Sequence, residues 1–212
     1  AKWMPSINCS NNERRAFAAK IADTFGMTPR TYRKMLSGLR KYLNVIEQKI
    51  SAKEWSDIDY SAVPSRANLI YNSAFLKNDE SRRREFLGAV EKGEAVIHSG
   101  TNFPHDIVHK YSSVSNGWSF RASLAPLDAG LEALWKALPD YGRNMENTLV
   151  VADGSGSMFS QVGDSEITSL DVANSLAIYF AERCEGGFKN HYITFSGRPQ
   201  LVNLGTGTLR SK

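Results

Sequence analysis

The chain has 212 residues, of which 42% are hydrophobic and 23% charged, with a formal net charge of +4. That balance suits a soluble globular protein of one large domain or two small ones, with a substantial core. It argues against membrane and secreted classes, because no apolar run approaches the roughly 18 residues of a membrane span and Ala1-Lys2-Trp3-Met4-Pro5 lacks the apolar centre of a signal peptide. Cys9 and Cys184 match no disulfide or metal spacing, so a reducing, cytoplasmic location is expected.

Taken in chain order, Asn11 or Asn12 can cap a helix through Arg14–Phe25 that Gly26 closes. Thr28-Pro29 opens a second helix, whose apolar stripe Tyr32, Met35, Leu36, Leu39, Leu43, Ile46, Ile50 predicts one long amphipathic element. Ser51 can cap a short helix around Lys53–Ile58. Residues 59–65 read as a loop, and Arg66–Phe75 as a helix. Asn78 or Asp79 caps the next helix, which runs through Glu91 and ends at Gly93. Phe103-Pro104-His105 opens a short helix through His109. Residues 112–123, with Gly117 and Trp118, read as an exposed loop. Ala125–Leu138 is apolar and helical.

The pattern then changes. Asn147–Ala152 is strand-like, Leu170–Arg183 is helix-like and His191–Phe195 is strand-like again. Gln200–Leu204 is a third strand, expected antiparallel to the second. The fold class is therefore α+β by region: an all-α helical array over residues 1–146, then the opening of an α/β domain over residues 147–212. Residues 1–146 carry 21 Lys and Arg against 16 Asp and Glu, and residues 147–212 carry 5 against 6. The basic excess of the first region permits a polyanion partner.

The chemistry concentrates at Asp153-Gly154-Ser155-Gly156-Ser157, just after the first strand. Strand ends in α/β sheets are where ligands bind. Asp153, Ser155 and Ser157, spaced two apart, offer one charged and two neutral oxygens to a hard divalent cation. Glycines at 154 and 156 let the turn fold closely. Magnesium, or manganese in its place, would keep positions open for water or for a partner's carboxylate.

Asp153-x-Ser155-x-Ser157 after an apolar strand resembles the metal-ion-dependent adhesion site (MIDAS) of von Willebrand factor A domains. Tyr32-Arg33-Lys34, Lys53-Glu54-Trp55, Ala74-Phe75-Leu76-Lys77-Asn78-Asp79, Phe103-Pro104-His105-Asp106, Leu170-Asp171-Val172-Ala173 and Ile193-Thr194-Phe195-Ser196 are similar to a family of unknown function. That family joins a TROVE/Ro-like array of helical repeats to an A-like, Rossmann-type domain. The resemblance implies a non-enzymatic protein that binds an acidic protein ligand through the metal, with structured RNA as a partner of the helices. It also implies a threonine and a second aspartate from later loops. Their absence, with Ala1 at the start, leads us to expect a fragment of a longer protein.

Arg33, Lys34, Arg40 and Lys41, and the run Arg82-Arg83-Arg84, are the candidate phosphate contacts. A rival reading is an RNA-binding module whose α/β part is purely structural. A third is a metal-dependent phosphoester hydrolase. Catalysis is the weaker class, because the chain lacks a Gly-x-Ser-x-Gly elbow, a P-loop and the third glycine of a dinucleotide fingerprint. His105 and His109 share a helical face but lack the glutamate of a zinc protease motif.

Overall fold

The computed structural model describes residues 2–112, 125–142 and 145–212. The expected loop residues 113–123, Trp118 included, lie outside them. Two compact units divide the chain, Ala1–Ile58 and Asp59–Lys212.

The first unit is helical. Helices α1 (Asn12–Thr24) and α2 (Pro29–Tyr42) are each capped as their sequences require. Asn11 Oδ1 accepts the Arg14 N–H at 2.9 Å, and Thr28 Oγ1 accepts that of Thr31 at 3.2 Å. Ala18 and Ala22 give α1 a narrow face, and Tyr32 and Leu36 of α2 are buried with them. The preceding segment is tied to α2, because the Tyr32 hydroxyl donates to Pro5 O and Arg40 donates to Ser6 Oγ and Met4 O.

The long second helix expected from the sequence is broken. The chain turns at Asn44, whose φ is +47°, and restarts as α3 (Ile46–Ala52). Val45 N–H bonds Arg40 O at 3.2 Å and Asn44 N–H bonds Lys41 O at 3.0 Å, a Schellman ending with asparagine in the left-handed position. Gly26, at φ +63°, ends α1 in the same way. Ser51 caps nothing. It lies inside α3 and donates to Glu47 O at 2.7 Å, and Trp55–Asp57 is only a 3-10 turn.

The second unit begins with α4 (Ser65–Ile70) and α5 (Asn72–Asn78), two short helices where one was expected. It continues with α6 (Glu80–Glu91), α7 (Pro104–Ser112) and α8 (Ala129–Lys136). Strand β1 (Val150–Asp153), α9 (Ser169–Arg183), β2 (His191–Phe195) and β3 (Leu201–Asn203) follow in the expected order. Among the described residues these strands form one mixed sheet in the order β1-β2-β3. β1 and β2 run parallel with Asp153 opposite Phe195, and β3 returns antiparallel to β2. A parallel pair needs a crossover, and α9 supplies it.

The change of pattern near residue 146 does not divide the packing. One hydrophobic core joins Leu87, Ile107, Tyr111 and Leu134 to Ile178, Tyr179, Leu204 and Leu209. The helices from residue 59 onward cannot bury their apolar stripes alone, and α9 and the segment after β3 complete them. Glu132 fixes that last segment. Its carboxylate accepts the N–H groups of Leu209 at 2.8 Å and Arg210 at 3.2 Å, and the Tyr111 hydroxyl at 2.8 Å. Lys212 pairs with Glu182.

Candidate metal turn and cationic faces

Asp153 is the last residue of β1, so its side chain stands where the parallel pair ends. Asp153 Oδ1 accepts the Ser155 N–H at 2.8 Å, which turns the carboxylate toward the following loop. A 3-10 turn, Gly156–Phe159, comes next, and the Ser155 and Ser157 hydroxyl oxygens lie 3.0 Å apart. Both serines are exposed and Asp153 is half-buried. Gly154 and Gly156 are not needed for space, because a Cβ on either would meet nothing within 4 Å and neither has a positive φ.

The rest of the connection folds back onto α9. Ser169 N–H bonds Ser160 O at 2.9 Å and Val162 N–H bonds Ile167 O at 2.9 Å. Thr168 and Asp171 form a capping box at the start of α9. Asp171 is also held from α7, with His109 Nδ1 at 3.2 Å from one oxygen and the Ser112 hydroxyl donating to the other at 3.2 Å. Burial pushes the Asp171 carboxyl up, but the Thr168 N–H and hydroxyl and His109 outweigh it and hold the pKa below the usual carboxylate value. His109, read from sequence only as half of a histidine pair, thus helps to fix the helix that follows the candidate turn. Its partner lies 62 residues away, so spacing carries no signal of it.

Among the described residues, no three His, Cys, Asp or Glu side chains come together as a metal cluster. A cleft of about 410 Å³ opens between Arg66, Phe103, His105 and Asp106 on one side and Val162, Ile167 and Val172 on the other. Arg66 and Asp106 are paired at 2.6 Å along its wall.

The candidate phosphate contacts separate sharply. Arg33, Lys34 and Lys41 are exposed on α2, whereas Arg40 is turned back onto the N-terminal segment. Arg82 pairs with Asp79 and Arg84 with Glu80, each at 2.8 Å. Arg83 is corrected outright: its side chain is fully buried and meets no solvent. Its guanidinium lies 5.1–5.5 Å from the ring centres of Tyr60, Phe75 and Phe86 and donates to Asn68 Oδ1 at 3.1 Å and Asn72 Oδ1 at 3.2 Å. Burial pulls its pKa down to about 10, which leaves it charged at neutral pH. The signal was present in the helical period, since Arg83, Phe86, Leu87 and Val90 share the inward stripe of α6.

These helices and the small mixed sheet define an α+β protein. Residues 1–140 match the family described as a domain of unknown function, DUF2828, and the chain belongs to it. The matched stretch ends after α8 and before β1. A curated relative, Uncharacterized protein L728 of Acanthamoeba polyphaga mimivirus, is 30% identical over 230 residues that take in the whole of this chain. The chain spans 37% of that relative's length. No solved structure matches it. No helix among the described residues is long and apolar enough to cross a membrane.

Proposed function

We propose that the chain is a non-enzymatic binding protein that presents Mg²⁺, or Mn²⁺, to an acidic group of a protein partner through Asp153, Ser155 and Ser157. One observation carries this reading: the 3.0 Å separation of the two serine oxygens beside a carboxylate at the end of a parallel strand. An octahedral ion with bonds of about 2.0–2.1 Å holds neighbouring oxygens about 2.9 Å apart. The two hydroxyls, which share a hydrogen bond at that distance, are spaced for adjacent positions on such an ion. Asp153 Oδ1 is engaged by a backbone N–H, which leaves Oδ2 to supply charge directly or through water.

The donor set fits a hard cation and suits a soft one poorly, since it offers only oxygen. A single carboxylate leaves net positive charge on the ion, and an acidic side chain from a partner would neutralise it. That chemistry is the reason to read the turn as an adhesion-type site like that of von Willebrand factor A domains, beside a Ro-like helical region. Both cysteines are free, which suits a reducing cytoplasmic compartment.

Thermal melting of the full chain across Mg²⁺ and Mn²⁺ titrations tests the proposal. A ligand at 100 times its Kd stabilises by about 2.7 kcal/mol. The wild type should gain stability with either ion. Asp153→Ala should lose the gain while melting with the wild type in chelator. Equal melting of both proteins at every ion concentration would remove the site.

A further inference from the structure

The cleft of about 410 Å³ in the second unit is built by stretches distant in sequence. Arg66 comes from α4, and Phe103, His105 and Asp106 from around the first turn of α7. Val162 and Ile167 come from the connection into α9. That connection is a small hairpin, in which Val162 N–H bonds Ile167 O at 2.9 Å and the Ser165 hydroxyl donates to Val162 O at 2.6 Å. The Phe103 and His105 rings stack, with centres 5.5 Å apart and planes 5° from parallel. The volume falls in the range of small-molecule sites, which join apolar walls to a few fixed polar groups.

The two charged groups are not equally committed. Asp106 Oδ2 accepts both the Arg66 guanidinium at 2.6 Å and the Phe103 N–H at 3.0 Å, and its side chain is only 12% exposed. Burial pushes the Asp106 carboxyl up, but Arg66 and the Phe103 N–H outweigh it and hold its pKa below the usual carboxylate value. Asp106 therefore stays ionised and orients Arg66. The Arg66 side chain is 49% exposed and paired through Nη1, and its remaining N–H groups have no partner among the described residues.

We infer that this cleft binds an aromatic carboxylate, its ring between the Phe103–His105 stack and the Val162–Ile167 wall and its carboxylate on the free edge of Arg66. A guanidinium fork matches a carboxylate with two parallel bonds. Phosphate fits less well. Pro104 has no N–H to give and that of Phe103 is taken by Asp106, so a single cation among apolar walls suits a monoanion with an apolar body. The adjoining cleft of about 360 Å³, which shares Thr101 and Phe103, is lined by no charged residue and has nothing to hold a carboxylate. The inference does not depend on the metal turn.

The test is an amide-detected NMR titration of the full chain, in EDTA, with naphthoate, its neutral amide naphthamide, and inorganic phosphate. Naphthoate should bind with a Kd of about 1 mM or below and shift the Thr101, Phe103, Val162 and Ile167 amides together. Naphthamide should bind about 10-fold more weakly, and phosphate should leave these amides unmoved. Arg66→Gln should weaken naphthoate about 10-fold or more, level with the amide, while melting close to the wild type. Arg66→Lys should restore only part of the loss. Val162→Trp, which fills the cleft and leaves Arg66 in place, should abolish the binding of both. Acetyl-Gly-Gly-Phe offers the same chemistry from a chain end. Its binding more tightly than naphthoate assigns the cleft to chain ends, and more weakly to free acids, and both uphold the inference. It is overturned by no shift up to about 10 mM naphthoate, by equal binding of acid and amide to the wild type, by phosphate binding as tightly as the acid, or by Arg66→Gln leaving naphthoate unchanged.

Discussion

The two units of this chain differ in how densely they carry basic residues, 11 in Ala1–Ile58 against 15 in the much longer Asp59–Lys212, and they use them in opposite ways. In Asp59–Lys212 several of the described arginines are bound into the structure. Arg83 is a core side chain, Arg82 and Arg84 pair along their own helix, and Arg183 lies 4.0 Å from the Tyr179 ring centre. In Ala1–Ile58 Arg40 and Lys49 are drawn in, through neutral hydrogen bonds, while Arg30, Arg33, Lys34 and Lys41 of α2 face water. A run of three arginines therefore says less about a polyanion than four cations at helical spacing. What matters is which face of the helix the charge occupies.

The contrast can be broken most directly at Arg83. Arg83→Ala leaves the Asn68 and Asn72 carbonyl oxygens without their donor and opens a cavity under Tyr60, Phe75 and Phe86. Urea unfolding should show a loss of about 3–5 kcal/mol. A loss below about 1 kcal/mol would place Arg83 with the surface cations and end the distinction.

Asp171→Asn sharpens the comparison in pH. The folded carboxyl titrates below its unfolded value of about 3.9, so its stabilisation is complete above that pH and is lost as pH falls through the folded value. Wild-type stability should drop below about pH 4 more steeply than that of the variant, which should also lose about 1–2 kcal/mol at pH 7. Parallel pH profiles would show that the Thr168 and His109 bonds do not stabilise the charge.

The smallest expected effect lies in the first unit, which is held by backbone endings rather than by ion pairs. Asn44→Ala should cost about 1 kcal/mol, because alanine resists the left-handed conformation, and Asn44→Gly should be neutral or better. Neither difference should change between low salt and 0.5 M salt. A strong salt dependence would mean that charge shapes this unit after all.

Much of this was legible beforehand. The caps at Asn11 and Thr28, the strand–helix–strand order after residue 147 and the antiparallel return of β3 were all written in local pattern. The break at Asn44 was hidden because the apolar steps of three and four continue across it to Ile50, and periodicity is blind to one residue of positive φ. Arg83 was misread because charge type was weighed ahead of position on the helix. The Asp153 turn was placed correctly at the end of its strand, but the part of Asp171 was missed, since its partners His109 and Ser112 come from far along the chain. The common core across residue 146 likewise depends on contacts that no local window contains.

The hold of Glu132 on Leu209 and Arg210 makes the segment after β3 a latch. Release of this segment would withdraw Leu209, an apolar plug, from among the helices. It would also strand a negative charge that keeps only the Tyr111 hydroxyl for company. Slow hydrogen exchange at the Leu209 and Arg210 amides is therefore a direct gauge of whether the helical layer of the second unit is closed.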